Sequence, residues 1–290
     1  GQGANSTMAQ ILSNHLGWPF NRIIVHAADT KQDPLAGMTT ASRQTFVSGN
    51  AVLKMAEKLR VEIMKVVADE YNVGKDKIVF KDNGFYTLED NSKITSLDEF
   101  IKIIETRGIK ISAEATYSAP GTNFALKEPE EGYKTPEDGR LHAAYCFAAQ
   151  ATILEVNKKT GKVNVLDVII ASDAGRIINR AALEGQMEGG VVMGLGYALS
   201  EEYKQENGKI ITDNYAKLGI RRIGQTPVIK CIIIEDPHKE GPYGAKGMGE
   251  LPLSMGAPSV VHAIYDALGI WVSSIPAVPE KIVNELKKNN

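Results

Sequence analysis

The chain has 290 residues, of which 43% are hydrophobic and 23% charged, and its formal net charge is −2. Those fractions are ordinary for a globular protein, and the basic residues are spread out rather than massed, which argues against a nucleic-acid footprint. The longest apolar stretches, such as Val228 to Ile234 with Lys230 inside it, fall far short of a membrane span. Taken in chain order, Met8, Ile11, Leu12 and Leu16 recur at helical spacing, and Gly17 followed by Pro19 ends that helix. Arg22 to Ala27 reads as a short apolar strand. A long helix follows, with Val52, Met55, Ala56, Leu59, Ile63, Val66 and Val67 on one face. Asn83-Gly84, between residues 77–81 and 85–88, signals a hairpin turn. Ser96 with Glu99 predicts a capping box that opens a helix through Glu105.

Residues 117–140 are rich in Pro, Gly, Glu and Lys and read as a linker or surface loop. Beyond them, residues 145–156 and 163–171 flank a turn at 157–161 and predict an antiparallel hairpin. Asn179 to Tyr203 reads as a helix despite its glycines, and Asn207-Gly208 as the turn of another hairpin. Val228 to Glu235, entered through Pro227, is expected to be a mostly buried strand. A glycine-rich loop, 241–249, leads into a helix from Leu251 to Leu268 with Pro252 in its first turn. A short terminal helix spans 280–288. The pattern predicts an α+β chain of two similar-sized halves, 1–116 and 141–290, with antiparallel or mixed sheets and long helices.

The two cysteines, Cys146 and Cys231, lie in strand-like apolar segments, which suits buried free thiols or at most one disulfide. They are too few for an iron–sulfur cluster, which takes about four. The five histidines share no metal spacing, and no Walker loop, nucleophile elbow or Cys-x-x-Cys is present, which weakens an NTPase or hydrolase reading. The Gly-Gln-Gly start lacks a signal-like segment, so a cytoplasmic location is expected. A glycine-rich turn is an unusual place for a domain to begin, and upstream sequence is expected elsewhere.

Four segments combine glycines, which let backbone approach a ligand, with polar groups that could bind one. Gly1-Gln2-Gly3 before a helix suits a polar heterocycle or phosphate, or is a plain N-terminal turn. Residues 37–45 offer the hydroxyls of Thr39, Thr40, Ser42 and Thr45 and the charge of Arg43 at the mouth of the long helix, for phosphate recognition or for simple N-capping. In the third segment, Asp173 to Gly196, the helical glycines each forgo roughly 1 kcal/mol relative to Ala. Either another helix packs closely there or a cofactor approaches beside Gln186. The fourth segment, Gly241 to Pro252, has four glycines in nine residues and ends in Glu250 at a helix start. Glu250 either complements the helix dipole or is a partly desolvated general base of raised pKa beside a planar ligand.

In this order and spacing, the four segments resemble the second molybdopterin-binding region of the xanthine dehydrogenase/aldehyde oxidase family, along nearly the whole chain. Gly-Gln-Gly is similar to that family's pterin-contacting glutamine loop, and Thr40-Ala41-Ser42-Arg43-Gln44-Thr45 to its pterin-binding turn. Asp173 to Gly196, with Gly185-Gln186-Met187-Glu188-Gly189, resembles its central glutamine segment. Gly247-Met248-Gly249-Glu250-Leu251-Pro252 resembles its Gly-x-Gly-Glu-x-Pro signature, whose glutamate is the catalytic base.

The resemblance implies a molybdenum centre with hydroxo and sulfido ligands, held through the pterin with no protein atom on the metal. It implies Glu250 as the base that activates the oxygen attacking an electron-poor carbon of a purine, another heterocycle or an aldehyde. Gln2, Gly3, Ser42, Arg43, Thr45 and Gln186 would hold the pterin, with Ala41, Gly247, Met248 and Gly249 near the metal ligands. In bacterial relatives the pterin carries a cytosine dinucleotide. The family's earlier molybdopterin domain, its two [2Fe–2S] clusters and its FAD domain have no counterpart here. The resemblance therefore implies a large molybdopterin subunit, an iron–sulfur subunit and a flavin subunit as partners. The alternative is a non-catalytic paralogue that serves interaction or cofactor insertion.

Overall fold

The computed structural model describes residues 2–119 and 143–289, so the expected linker lies outside the described residues from position 120 onward. The chain divides into two compact units. One holds residues 3–119, 143–144 and a return segment at 239–245; the other holds 145–238 and 246–289 together with Gln2.

The first unit opens with α1 (Ala4–Leu16), which ends on Gly17 in the left-handed region (φ 72°), as the Gly-x-Pro punctuation predicts. The expected strand at Arg22 to Ala27 is not one. Arg22 closes a single 3₁₀ turn, and residues 23–27 have no regular structure because no strand among the described residues pairs with them; Ile24 is 79% exposed. The long helix α2 (Gln44–Tyr71) buries Ala56, Ile63 and Val67 from the expected face, together with Phe46 and Gly49. Next come β1 (Ile78–Lys81), β2 (Gly84–Thr87), β3 (Lys93–Ser96) and α3 (Leu97–Arg107), the strands forming an antiparallel sheet in the order β1-β2-β3. Lys81 pairs with Gly84, so the hairpin turns on Asp82-Asn83, both left-handed, one residue earlier than the Asn-Gly signal suggests. Phe85 and Phe100 are fully buried here, their ring centroids 5.0 Å apart edge to face, and Phe80 meets Phe85 at 4.9 Å.

The capping box at α3 forms as predicted. Glu99 N–H donates to Ser96 Oγ at 3.2 Å, and Ser96 N–H donates to Glu99 Oε2 at 3.0 Å. Ser96→Ala is expected to lower stability by about 1 kcal/mol in urea unfolding, since the Glu99 N–H loses its acceptor. A change below the error of that measurement would show that the box contributes nothing.

The second unit begins with β4 (Ala148–Val156) and β5 (Val163–Asp173), antiparallel around the predicted turn. The helix α4 (Arg180–Leu199) follows, N-capped by Asn179, whose Oδ1 accepts from Ala182 N–H at 3.0 Å. It stops before the expected Tyr203 because Ser200 leaves helical geometry (φ −144°). A two-strand ladder, β6 (Gln205–Glu206) and β7 (Lys209–Ile210), and a single turn of helix, α5 (Tyr215–Leu218), lead to β8 (Val228–Ile234). β8 pairs parallel to β5, so the sheet β4-β5-β8 is mixed. β8 is not the mostly buried strand expected. Ile229, Cys231 and Ile233 face the core, while Val228, Ile232 and Ile234 are 49–60% exposed, because the helices cover only one face of the sheet.

The predicted helix after the glycine-rich loop is broken at Met255 into α6 (Leu251–Ser254) and α7 (Gly256–Leu268), with α8 (Pro279–Lys288) closing the chain. The core between sheet and helices comprises Val168, Ile170, Met187, Val191, Leu195, Val260 and Ile264, all fully buried. Both cysteines are free thiols, half-buried, and burial pushes each thiol's pKa up. No described helix is long and apolar enough to cross a membrane.

Candidate functional site

In the first unit, Gly3 is the N-cap of α1 in the left-handed region (φ 74°), and its carbonyl accepts both Thr7 N–H and Thr7 Oγ at 3.0 and 3.1 Å. Gln2 before it is exposed. The turn at the mouth of α2 is more unusual. Ala41 and Ser42 are consecutive non-glycine residues with φ of 51° and 52°, a conformation sparsely used outside Asn, Asp and Gly. Such strain concentrates at ligand-binding turns. Simple N-capping does not explain this turn, because the cap position is Arg43 and its side chain makes no capping bond. Arg43 Nη1 instead folds back and donates to Met38 O at 3.1 Å. Thr45 lies one residue inside the helix. The return segment seats Pro242 on Gly49, where a Cβ would come within 2.8 Å of the proline ring, and Asn50 Nδ2 donates to Glu240 O at 2.8 Å.

In the second unit, the remaining candidates converge at the carboxyl end of β5. Asp173 ends that strand, and its Oδ1 accepts Gly175 N–H at 2.9 Å. Ala174 O accepts the backbone N–H of Lys246 at 3.0 Å. Cys146 Sγ donates to Gly247 O at 3.0 Å, and Met248 is buried in the core. Gln186 Nε2 on α4 donates to Gly249 O at 3.1 Å. The structure thus brings Gln186 together with Gly247, Met248 and Gly249, and puts Glu250 next, exposed, at the start of α6. The desolvation expected around Glu250 is not supplied by the described residues.

Four of the five glycines of α4 form two pairs on different faces, while Gly196 makes room for the Glu201 side chain. A Cβ on Gly190 would lie 2.6 Å from Pro252, and one on Gly194 2.8 Å from Leu253 O, so these glycines let α6 and α7 approach. A Cβ on Gly185 or Gly189 would meet nothing within 4 Å, leaving an open strip beside Gln186. Packing explains the first pair, and the second pair has no packing partner among the described residues.

Sequence reasoning assigned no role to Lys246, although it is the one charge inside the glycine-rich loop. It is 7% exposed and ion-paired with Asp173, itself 6% exposed, with Asp236 at 3.3 Å. Burial, the largest influence, pulls its pKa down. Hydrogen bonds to Asp173 and Asp236 together outweigh it, and the ammonium sits above the usual lysine range. A buried carboxylate ending an apolar strand was the signal available, since such a charge needs a partner.

Each unit is of mixed α+β class, with a left-handed or glycine-rich turn at the start of a helix. The chain belongs to the molybdopterin cofactor-binding domain family, whose model matches residues 1–227, the family of the large chains of xanthine dehydrogenases, aldehyde oxidoreductases and carbon monoxide dehydrogenases. It is 28% identical over 288 residues to a probable xanthine dehydrogenase subunit of Bacillus subtilis, covering 99% of this chain and 36% of that protein. It is 30% identical over 291 residues to the nicotine 6-hydroxylase large subunit of Paenarthrobacter nicotinovorans, covering 99% of this chain and 34% of that one. The chain therefore spans about a third of these relatives' length, and they are subunits by name. Among solved structures, a Cu,Mo-containing CO dehydrogenase shares the fold with a TM-score of 0.79 at 22% identity, over 99% of this chain and 35% of that one.

Proposed function

We propose that this chain is the molybdopterin-binding catalytic part of a molybdenum hydroxylase, oxidatively hydroxylating an electron-poor carbon of a purine, another N-heterocycle or an aldehyde with oxygen from water. The observation that carries this reading is the segment Gly247–Glu250. Its backbone carbonyls are held by Cys146 and Gln186, and it ends in an exposed carboxylate. The residues present fit the pterin, which needs hydrogen-bond donors and close backbone rather than ligands to a metal. In the second unit they include the amide of Gln186 and the open strip at Gly185 and Gly189; the first unit, taken by itself, offers the left-handed Ala41-Ser42 turn.

On this reading Gln2, Gly3, Ser42, Arg43, Thr45 and Gln186 bind the cofactor, and Ala41, Gly247, Met248 and Gly249 lie near the metal's ligands. The molybdopterin, as its cytosine dinucleotide, supplies the two-electron redox chemistry. Glu250 takes a proton from the attacking water-derived oxygen onto its carboxylate, which makes that oxygen nucleophilic. Gln186 holds the Gly249 carbonyl, and so holds the backbone just before that base. The halves 1–116 and 141–290 would form the second molybdopterin-binding region. Iron–sulfur and flavin subunits would partner it in a cytoplasmic complex.

Elemental analysis of the complex purified through this chain from its native host tests the reading. Molybdenum stoichiometric with the chain, with iron and further subunits co-purifying, is the expected result. A fully assembled complex without molybdenum, from cells supplied with molybdate, would overturn it in favour of a borrowed fold.

A further inference from the structure

In the Gly247–Glu250 segment only Met248 is anchored in the core, yet the base that follows two glycines must stay in register with a bound cofactor. Glycine-rich backbone is entropically free, and carbonyl hydrogen bonds to Gly247 and Gly249 restrain it only weakly. Just upstream lies Lys246, whose ammonium is buried against the Asp173 carboxylate, while its backbone N–H bonds Ala174 O. Asp173 is itself fixed: it ends β5, its backbone N–H donates to Phe147 O at 2.9 Å, and its Oδ1 accepts Gly175 N–H at 2.9 Å. A buried ammonium and carboxylate in contact leave little freedom in either chain, because separating them strands a charge out of water. Asp236, whose side chain is 77% exposed, adds a third group at the rim.

We infer that the Lys246–Asp173 ion pair is the positioning device for the catalytic segment, clamping its start to the carboxyl end of β5 so that Glu250 lies at a fixed place. Its catalytic consequence rests on the proposed role of Glu250; the clamping itself does not. Removing Lys246 alone would leave the Asp173 carboxylate buried without its cation and strongly destabilise the unit, so the informative change removes both charges together. Lys246→Met with Asp173→Asn keeps the volume and leaves an oxygen to accept Gly175 N–H. Paired removal of buried charges is commonly tolerated for stability.

The test uses the assembled complex. With the double variant, peptide-level hydrogen exchange over residues 247–251 should accelerate about tenfold or more, while peptides from α4 and α7 stay protected. Molybdenum content should be retained, with kcat lowered roughly 10-fold to 100-fold and KM little moved, as expected for a misplaced base. Lys246→Arg, which keeps a cation against both carboxylates, should recover most of the protection and the rate. Unchanged exchange over 247–251 would overturn the inference, and so would acceleration spread equally through α4 and α7, which marks a merely structural pair. If the wild-type complex holds no molybdenum, the hydroxylase reading fails by itself, and the exchange pattern still decides whether the pair clamps the segment.

Discussion

Glu250→Gln in the assembled enzyme is expected to lower kcat by roughly 10²–10⁴-fold, the usual range for loss of a general base, while molybdenum content stays at the wild-type level. The substitution is nearly isosteric and keeps an amide able to hydrogen-bond, but it cannot take up a proton. Glu250 is exposed in this chain, makes no capping bond to α6 and belongs to no core cluster. Stability should therefore move by less than about 0.5 kcal/mol. That separation makes the experiment decisive, since a catalytic loss cannot be ascribed to unfolding. Measured kcat, molybdenum content and thermal midpoint on one preparation give three outcomes. Loss of rate with metal and stability intact supports the base. Loss of molybdenum makes Glu250 a cofactor-retention residue. An unchanged rate sinks the catalytic reading and favours a non-catalytic paralogue.

What could be read from the sequence was local. The capping box at Ser96 and Glu99 needs only four consecutive residues, and the structure contains it. Gly17 and Asn207-Gly208 mark their turns because left-handed φ is a property of single residues. Where a feature depended on a distant partner, sequence supplied half of it. The glycines of α4 announced a close approach, yet only the structure pairs Gly194 with Gly256 and leaves Gly185 and Gly189 open. The apolar run at residues 23–27 satisfies strand composition but has no strand to pair with among the described residues. β8 reads as a mostly apolar, buried strand, but with helices on one face only, alternate residues face outward. Of the candidate site, the residue types were legible from the four motifs. The buried Lys246–Asp173 contact was not, because it joins positions 73 residues apart.

Gly256→Ala tests how that close approach supports the site. A Cβ there would sit 2.4 Å from both Cα and C of Gly194, a clash with backbone that no side-chain rotation relieves. The helices must therefore move apart, opening the core around Val191, Leu195 and Val260. Overpacking of this kind costs about 1–3 kcal/mol, and the gain from replacing glycine at the first residue of a helix is small. A fall of roughly 5–10 °C in the unfolding midpoint is expected by calorimetry. Gly185→Ala and Gly189→Ala make the same chemical change on the other face of α4, where a Cβ meets nothing within 4 Å. They should stabilise the isolated fold by up to about 1 kcal/mol each, through helix propensity alone. If that strip receives the pterin, the same two variants should also retain less molybdopterin in the complex. Opposite signs of one substitution on two faces of one helix would separate glycines kept for packing from glycines kept for a ligand. Equal and small effects would show that the α4–α7 crossing yields easily. Glu250 would then owe its position to the loop anchors alone rather than to Pro252 pressed against Gly190.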